Sequence, residues 1–499
     1  MAKPSGSFPH PLYEKFVLKP AYQDATEYYY EPMMAANFAH AVMLYRCHVI
    51  SLDNARTLLT ALRQVEDSGA DHVVYRSGVE DLFFAVEGRI LNIAGSAFGG
   101  NLQLARSRND LGYALTRLAL RSLILEASQH VIALRHSLRQ FAVEHLETLM
   151  PGYTHTQPAQ PTTMAHYIAG MLSLLERDSE RLRFAHDTNN QSPLGAAALT
   201  GTGFPIDRSL SARLLGFDSV QLSSYASIGA CDNLTDVANA LSSLGVNLSR
   251  FTHDMLFWAT QESGAIRIDD SFIQISSIMP QKRNPVVLEH LRARISRMMA
   301  MASGIIAQCH NIPFGDTQDI EDEILPLLFG SLETASDIFQ LYSAVIETLQ
   351  VNVYHLRERA IAGFTTVTEL ADTLVRQCKL PFREAHGIVS ALVTHAMEND
   401  LAPHDLSAGL LREIAKVEFD RDLELSEAML QAALDPHAFV EARSLPGGAA
   451  PGATAQVLEA QGRGIKQDAQ WLDATRGKIA DAQSFLRSEI DDILATSAG

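Results

Sequence analysis

The chain has 499 residues, 47% of them hydrophobic, and its 40 basic against 58 acidic side chains give a formal net charge of −18. That length buries a large core divided among two or three structural regions, and the acidic balance argues against nucleic acid or an anionic membrane as partner. The cysteines Cys47, Cys231, Cys309 and Cys378 lie far apart with no CxxC pair, which excludes a visible zinc site or disulfide framework.

In chain order, the opening "MAKPSGSFPHPLYEKF" lacks the form of a signal peptide, and no apolar run reaches the roughly 18 residues of a membrane span. A soluble cytoplasmic protein is expected. A first region of shorter helices ends at "GSAFGGN" (95–101), and 111–147 reads as a long helix. "LMPGYTHTQPAQPTT" (149–163) is a Pro- and Gly-punctuated connector into another long helix, 164–187, followed by the polar, small-residue loop "NNQSPLGAAALTGTGFPIDRS" (189–209). Leu234, Val237, Leu241, Leu244, Leu248, Phe251, Met255 and Trp258 then alternate steps of three and four. Leu288, Leu291, Ile295, Met298, Ala302 and Ile305 repeat the pattern, as do Leu325, Leu328, Leu332, Ala335, Phe339, Tyr342, Ile346 and Leu349. Such seams, on helices of about 20–30 residues, describe near-parallel helices packed as a bundle. Near 353–366 the pattern stops, shorter helices follow, and "RSLPGGAAPGATA" (443–455) leads into a last helix, 456–495. Alternating β-branched runs are nearly absent. The expectation is an all-α protein with an N-terminal helical domain over 1–110, a long central helix bundle over 111–365 and a small helical C-terminal domain over 366–499.

Bundle helices gather their connecting loops at the ends, and three of these loops carry donors suited to carboxylates. They are "ARSRND" (105–110) with Ser107, Arg108 and Asn109, "GYTHTQ" (152–157) with Thr154, His155 and Gln157, and "SSIMPQKRN" (276–284) with Ser276, Lys282 and Asn284. Each has a bland reading. Ser107 or Asn109 caps the helix that follows, His155 is a surface histidine, and Lys282 with Arg283 forms a solvated face. Together the loops repeat one chemistry in an acidic chain, which favours a site for carboxylates.

"SSIMPQKRNP" resembles the signature loop of the fumarase/aspartase superfamily, and "RSRND" with "YTHTQPAQP" narrows the resemblance to the argininosuccinate lyase family, which includes δ-crystallin. "SPLGAAALTGTGFPIDR" (192–208), "LLGFDS" (214–219) and "LVRQCKLPFREAH" (374–386) are also similar to segments of that family, so the resemblance runs over residues 75–390 and more loosely over the ends. It implies a homotetramer with a twenty-helix core, each active site being built from segments of three subunits. It also implies reversible β-elimination from an N-substituted aspartate, giving fumarate and an amine, without metal or nucleotide cofactor.

In that chemistry a weakly acidic proton beside a carboxylate is removed, so the aci-carboxylate formed must be held strongly. The resemblance makes Ser276 the base, its alkoxide supported by loop N–H groups and Lys282. Lys282 and Asn284 would hold the aci-carboxylate. Ser107, Asn109 and Thr154 would hold the other carboxylate, with Arg108 beside them and Gln157 as a further donor. His155 would help protonate the departing nitrogen or orient what does, with Glu289 beside it raising its pKa and fixing its tautomer; taken alone, Glu289 reads as a helix-surface charge.

Departures from the family pattern bear on the substrate. Ile275 replaces the glycine before the serines, which implies a stiffer hinge. Gln103, Leu104 and Ala105 stand for His-Thr-Gly, and Ala230, Cys231 and Asp232 for Asp-Arg-Asp. The family's tyrosine, glutamine and lysine that grip the amino-acid end of arginine fall, counted without gaps from Lys282, on Asp316, Glu321 and Ile324. The lost lysine removes a cation, and the two acids would repel a distal carboxylate and favour an amine, unless they simply face solvent at a helix start. The expected substrate is therefore an N-substituted aspartate with an amine other than arginine, such as ethylenediamine-disuccinate. A genuine argininosuccinate lyase with a shifted arginine pocket, and a silent crystallin-like structural protein, are the alternatives.

Overall fold

The structure, a computed structural model, describes residues 8–496; residues 1–7, the start of the stretch compared above with a signal peptide, and residues 497–499 lie outside the described residues. The longer helices, labelled in chain order, begin with α1 (Lys19–Arg46), α2 (Leu52–Ser68), α3 (Leu82–Ala94), α4 (Arg108–Glu144), α5 (Met164–Asn189) and α6 (Asp232–Trp258). They continue with α7 (Val286–Cys309), α8 (Leu325–Thr348), α9 (Val367–Cys378), α10 (Phe382–Glu398), α11 (Ala408–Phe419) and α12 (Pro451–Ala495). Among the described residues no helix is long and apolar enough to cross a membrane.

Helices α4 to α8 form a closed ring in which each packs on the next and α8 returns to α4. The seams explain it: Leu234 through Trp258 on α6 and Leu288 through Ile305 on α7 are buried, as is the third seam as far as Ile346, while Leu349 is half-buried where α8 ends. Polar pairs fix the ends of the ring. Arg117 of α4 donates to the Thr188 and Asn189 carbonyls, 3.0 Å each, satisfying the C-terminus of α5, and Asn233 Nδ2 at the start of α6 donates to Asn189 Oδ1 at 3.2 Å. The Thr252 and Tyr342 hydroxyls, 2.6 Å apart, join α6 to α8 inside the core. Ile295 of α7 is fully buried in the same main core; Ile295→Val should cost about 1 kcal/mol, read as a lower urea midpoint with an unchanged slope.

The connector 149–163 differs from the expectation. It is a hairpin of β1 (Leu149–Thr154) and β2 (Gln157–Thr163), antiparallel, with a register shift between Pro151 and Tyr153. An isolated two-stranded ribbon leaves both edges open, so the prolines that lack an N–H cost no ladder bond.

A second core holds Leu370 to Leu434, built by α9 to α11 and the short helix Glu427–Leu434. The segment 366–499 does not act as one unit, because α12 lies along α4 and α5 and buries Leu458, Leu486, Ile490 and Ile493 in the main core. The chain thus returns to the bundle after its small C-terminal core.

Candidate active site

At the start of α4 the sequence "RSRND" makes a capping box. Ser107 Oγ accepts from the Asn109 N–H at 3.3 Å, and Asp110 Oδ1 accepts from the Ser107 N–H at 2.9 Å. The capping reading of Ser107 is realised, and its hydroxyl donates to Asn109 Oδ1 at 2.9 Å. Asn109 Nδ2 donates to the Ala198 carbonyl at 3.3 Å, tying the helix start to the small-residue loop. Asp110 itself is buried, and its other oxygen accepts from the Gly195 and Ala197 N–H groups at 2.9 and 3.0 Å.

Arg108 and Asn109 open onto a cavity of about 400 Å³ whose far wall carries Asp316, Glu321 and Asp322. Arg108 is already paired, at 2.8 Å with Asp81 and 3.5 Å with Glu80. Burial, then the neighbouring Asp316 and Asp322 carboxylates, push Glu321 up to about 8, and burial with Asp81 pushes Asp322 up to about 6. Tyr113, one helical turn beyond Asn109, faces the same cavity, and burial next to Asp316 and Glu321 raises its phenol as well. Sequence reasoning missed Tyr113, Gln318 and Asp322; the i, i+4 spacing from Asn109 was the available signal for the first. Ile324 corrects an expectation: it is 0% exposed, in the bundle core where α8 begins, so it cannot touch a ligand here.

The other loops meet at the opposite end of the bundle. The signature segment is itself a small hairpin, Gln274–Ile275 pairing antiparallel with Arg283–Asn284, and Asp270 pairs with both Arg283 and Arg267 at its base. Ile275 adopts extended backbone within it, the conformation a β-branched side chain favours. Ser276 is half-buried, and its Oγ accepts from the Met279 and Ile278 N–H groups at 3.1 and 3.4 Å. Lys282, Asn284 and Glu289 line a cavity of about 1100 Å³ together with Thr156 and Arg292.

The hairpin tip places His155 and Thr156 between the paired Thr154 and Gln157, both in the left-handed region at φ 50° and 61°. Two adjacent positive φ values make the tight turn that asparagine or glycine ordinarily serves, and a β-branched threonine there is strained. Thr154, His155 and Gln157 are exposed, and among the described residues His155 forms no ion pair with Glu289. At 1.5 Å per residue the 27 residues of α6 put roughly 40 Å between the two ends. One copy therefore holds Ser107, Arg108, Asn109, Asp316 and Glu321 at one end, and Thr154, His155, Gln157, Ser276, Lys282, Asn284 and Glu289 at the other.

A lyase family model matches residues 13–300, and a model of the argininosuccinate lyase C-terminal region matches 364–441. The argininosuccinate lyases of Methanothermobacter thermautotrophicus and Methanococcoides burtonii are 37% and 34% identical to the chain, over 85% and 94% of it and 90% and 94% of their own lengths. An EDDS lyase solved in complex with formate is similar at 28% identity with a TM-score of 0.88, covering 98% of this chain and 97% of that one. A class II fumarase from Schistosoma mansoni, 17% identical with a TM-score of 0.67 over 83% of this chain and 90% of its own, shares the fold. With matches across both the bundle and the small C-terminal core, the chain belongs to the argininosuccinate lyase family of the fumarase/aspartase superfamily.

Proposed function

We propose that the chain, a carbon–nitrogen lyase that releases fumarate, acts on N-substituted aspartates whose departing group is an amine other than arginine, with ethylenediamine-disuccinate as the first candidate. The observation that carries this reading is the acidic wall of the cavity at the start of α4, where Arg108 is already taken up by Asp81 and Glu80. A distal carboxylate brought there meets like charge, whereas an ammonium is attracted. Ethylenediamine-disuccinate carries a succinyl group on each nitrogen, so one fumaryl subsite would serve each half in turn, with the acidic wall meeting its amines rather than its far carboxylates.

In this reading Ser276 removes the proton beside the carboxylate held by Lys282 and Asn284, while Ser107, Asn109, Thr154 and Gln157 hold the second carboxylate. His155, with Glu289 beside it, would orient the group that protonates the departing nitrogen. Because these groups stand at opposite ends of one bundle, further copies packed alongside must bring them together, and a homotetramer with composite sites meets that need. The strained turn at His155 and the exposed Ile275 and Ile278, 72% and 84% accessible in the isolated chain, support the same assembly.

The test is incubation of purified protein with fumarate and either ethylenediamine or arginine, following fumarate absorbance and adducts by mass spectrometry. An adduct with ethylenediamine and none with arginine is expected. An arginine adduct would replace this reading with the second one, argininosuccinate as substrate, which the names of the curated relatives favour.

A further inference from the structure

We infer that Glu321, held against Asp316, carries the proton of the substrate's nitrogen, giving it to the departing nitrogen on cleavage and, in the reverse direction, taking a proton from the neutral amine's nitrogen as it bonds to fumarate. The inference rests on the reading above in placing that nitrogen in the cavity at the start of α4.

Four observations support it. Glu321 lies on a π-helical turn, Asp319–Glu323, between the loop and α8, and such turns widen the helix and redirect a side chain, often at functional sites. Its carboxyl reaches across to α4, where a Cβ added to Gly112 would stand 3.6 Å from Oε1. Gln318 Nε2 donates to Oε2 at 2.8 Å, which fixes one oxygen and leaves Oε1 toward α4. Among the described residues no cation pairs with Glu321.

The surrounding charges agree with a proton held there. Asp316 and Asp322 face Glu321 from its own segment, Arg108 and Tyr113 from α4, Tyr29 from α1, and Asp81 from the turn before α3. Carboxylates, Glu80 among them, outnumber the single guanidinium, whose partners are Asp81 and Glu80, so the wall retains negative charge even with Glu321 protonated.

The bond changes balance without an oxidant or a co-reactant. Ser276 takes the C–H proton, the carbanion's electrons form the C=C bond, and the C–N pair leaves with nitrogen. A neutral secondary amine cannot leave as an amide anion, so nitrogen takes the Glu321 proton and departs as neutral amine. Solvent then takes the Ser276 proton and returns one to Glu321. Fumarate and amine together hold every atom of the substrate.

The experiment compares the full-length protein with Glu321→Gln, using whichever N-substituted aspartate the wild type cleaves. Wild-type kcat should fall as the pH rises through about 8, where this acid loses its proton. Glu321→Gln should be slower by roughly 100-fold, flat across that range and little changed in KM. Glu321→Ala should be equally slow and regain rate in proportion to added acetate at mildly acidic pH, a response that a structural role does not give. A Glu321→Gln enzyme that keeps both the alkaline limb and kcat, losing only KM, would overturn the inference, as would the absence of acetate rescue in a folded Glu321→Ala enzyme. The amine reading fails separately: if the wild type accepts arginine alone, the same Glu321 comparison runs on argininosuccinate.

Discussion

Replacing Ser276 with alanine should lower fumarate release by roughly 10²–10⁴-fold, the span of a lost general base, with the protein otherwise folded. A serine hydroxyl is a poor base in water, so its conjugate alkoxide needs donors already in place. The Met279 and Ile278 N–H groups supply them at 3.1 and 3.4 Å, fixed by the hairpin that closes at Ile275 and Arg283. Donors aimed at an oxygen where negative charge develops lower the cost of ionising it, with no reorganisation at the moment of proton transfer. Ser277 is the internal control. It is exposed and among the described residues no such donor points at it, so Ser277→Ala should leave kcat within about threefold of wild type, against the general-base scale just given. The readout is fumarate absorbance, with circular dichroism to confirm folding. A fully active Ser276→Ala enzyme would remove the base assignment and turn attention to Lys282.

The bundle was legible because its seams run for several turns. Where Leu, Ile and Phe recur at steps of three and four over about 20 residues, only one helical face satisfies them, and α6, α7 and α8 follow. The hairpin at 149–163 was not legible for the opposite reason. Its prolines and glycine mask strand propensity, and the pairing of Thr154 with Gln157 depends on two residues accepting positive φ that nothing in their type predicts. Ile324 shows a third limit. Counting from Lys282 placed it in register with a family cation, but its apolar side chain takes the core position where α8 starts. Asp316 and Glu321, eight and three positions before it, do reach the cavity, because the π-helical turn that holds Glu321 and leads into α8 breaks the regular helical register.

The same geometry explains why single motifs read as bland. Ser107 caps its own helix, His155 sits on an exposed turn, and Lys282 lies at a loop surface, so each is accounted for within one chain by local physics. The functional content lies in where the bundle delivers them. Antiparallel neighbours in the ring alternate ends, which sends α4 and α8 out from the acidic cavity and brings the 149–163 and 275–284 hairpins together at the far end. Sequence spacing carries no information about that alternation beyond helix length.

Asp110→Ala should cost up to about 3 kcal/mol, at roughly 1 kcal/mol for each part-buried N–H left without its acceptor. Those groups belong to Ser107, Gly195 and Ala197, so one carboxylate joins the helix start to the loop across from it. Burial raises the Asp110 pKa, while the three N–H groups and Arg106 pull it back, and the side chain is held because both carboxylate oxygens accept hydrogen bonds. Asp110→Asn is not a mild substitute: its amide nitrogen would face either the Ser107 N–H or the Gly195 and Ala197 pair, donor against donor. The functional loss should follow the structural one, because Asn109 contacts the Ala198 carbonyl only while the two segments stay in register. Urea denaturation measures the first effect, and kcat/KM under conditions where both proteins are folded measures the second, with at least a tenfold loss expected at about 1.4 kcal/mol of misplaced binding. A variant as stable as wild type within 1 kcal/mol would mean that solvent replaces the carboxylate, and the start of α4 would then owe its position to packing by Leu111 and Leu115 rather than to Asp110.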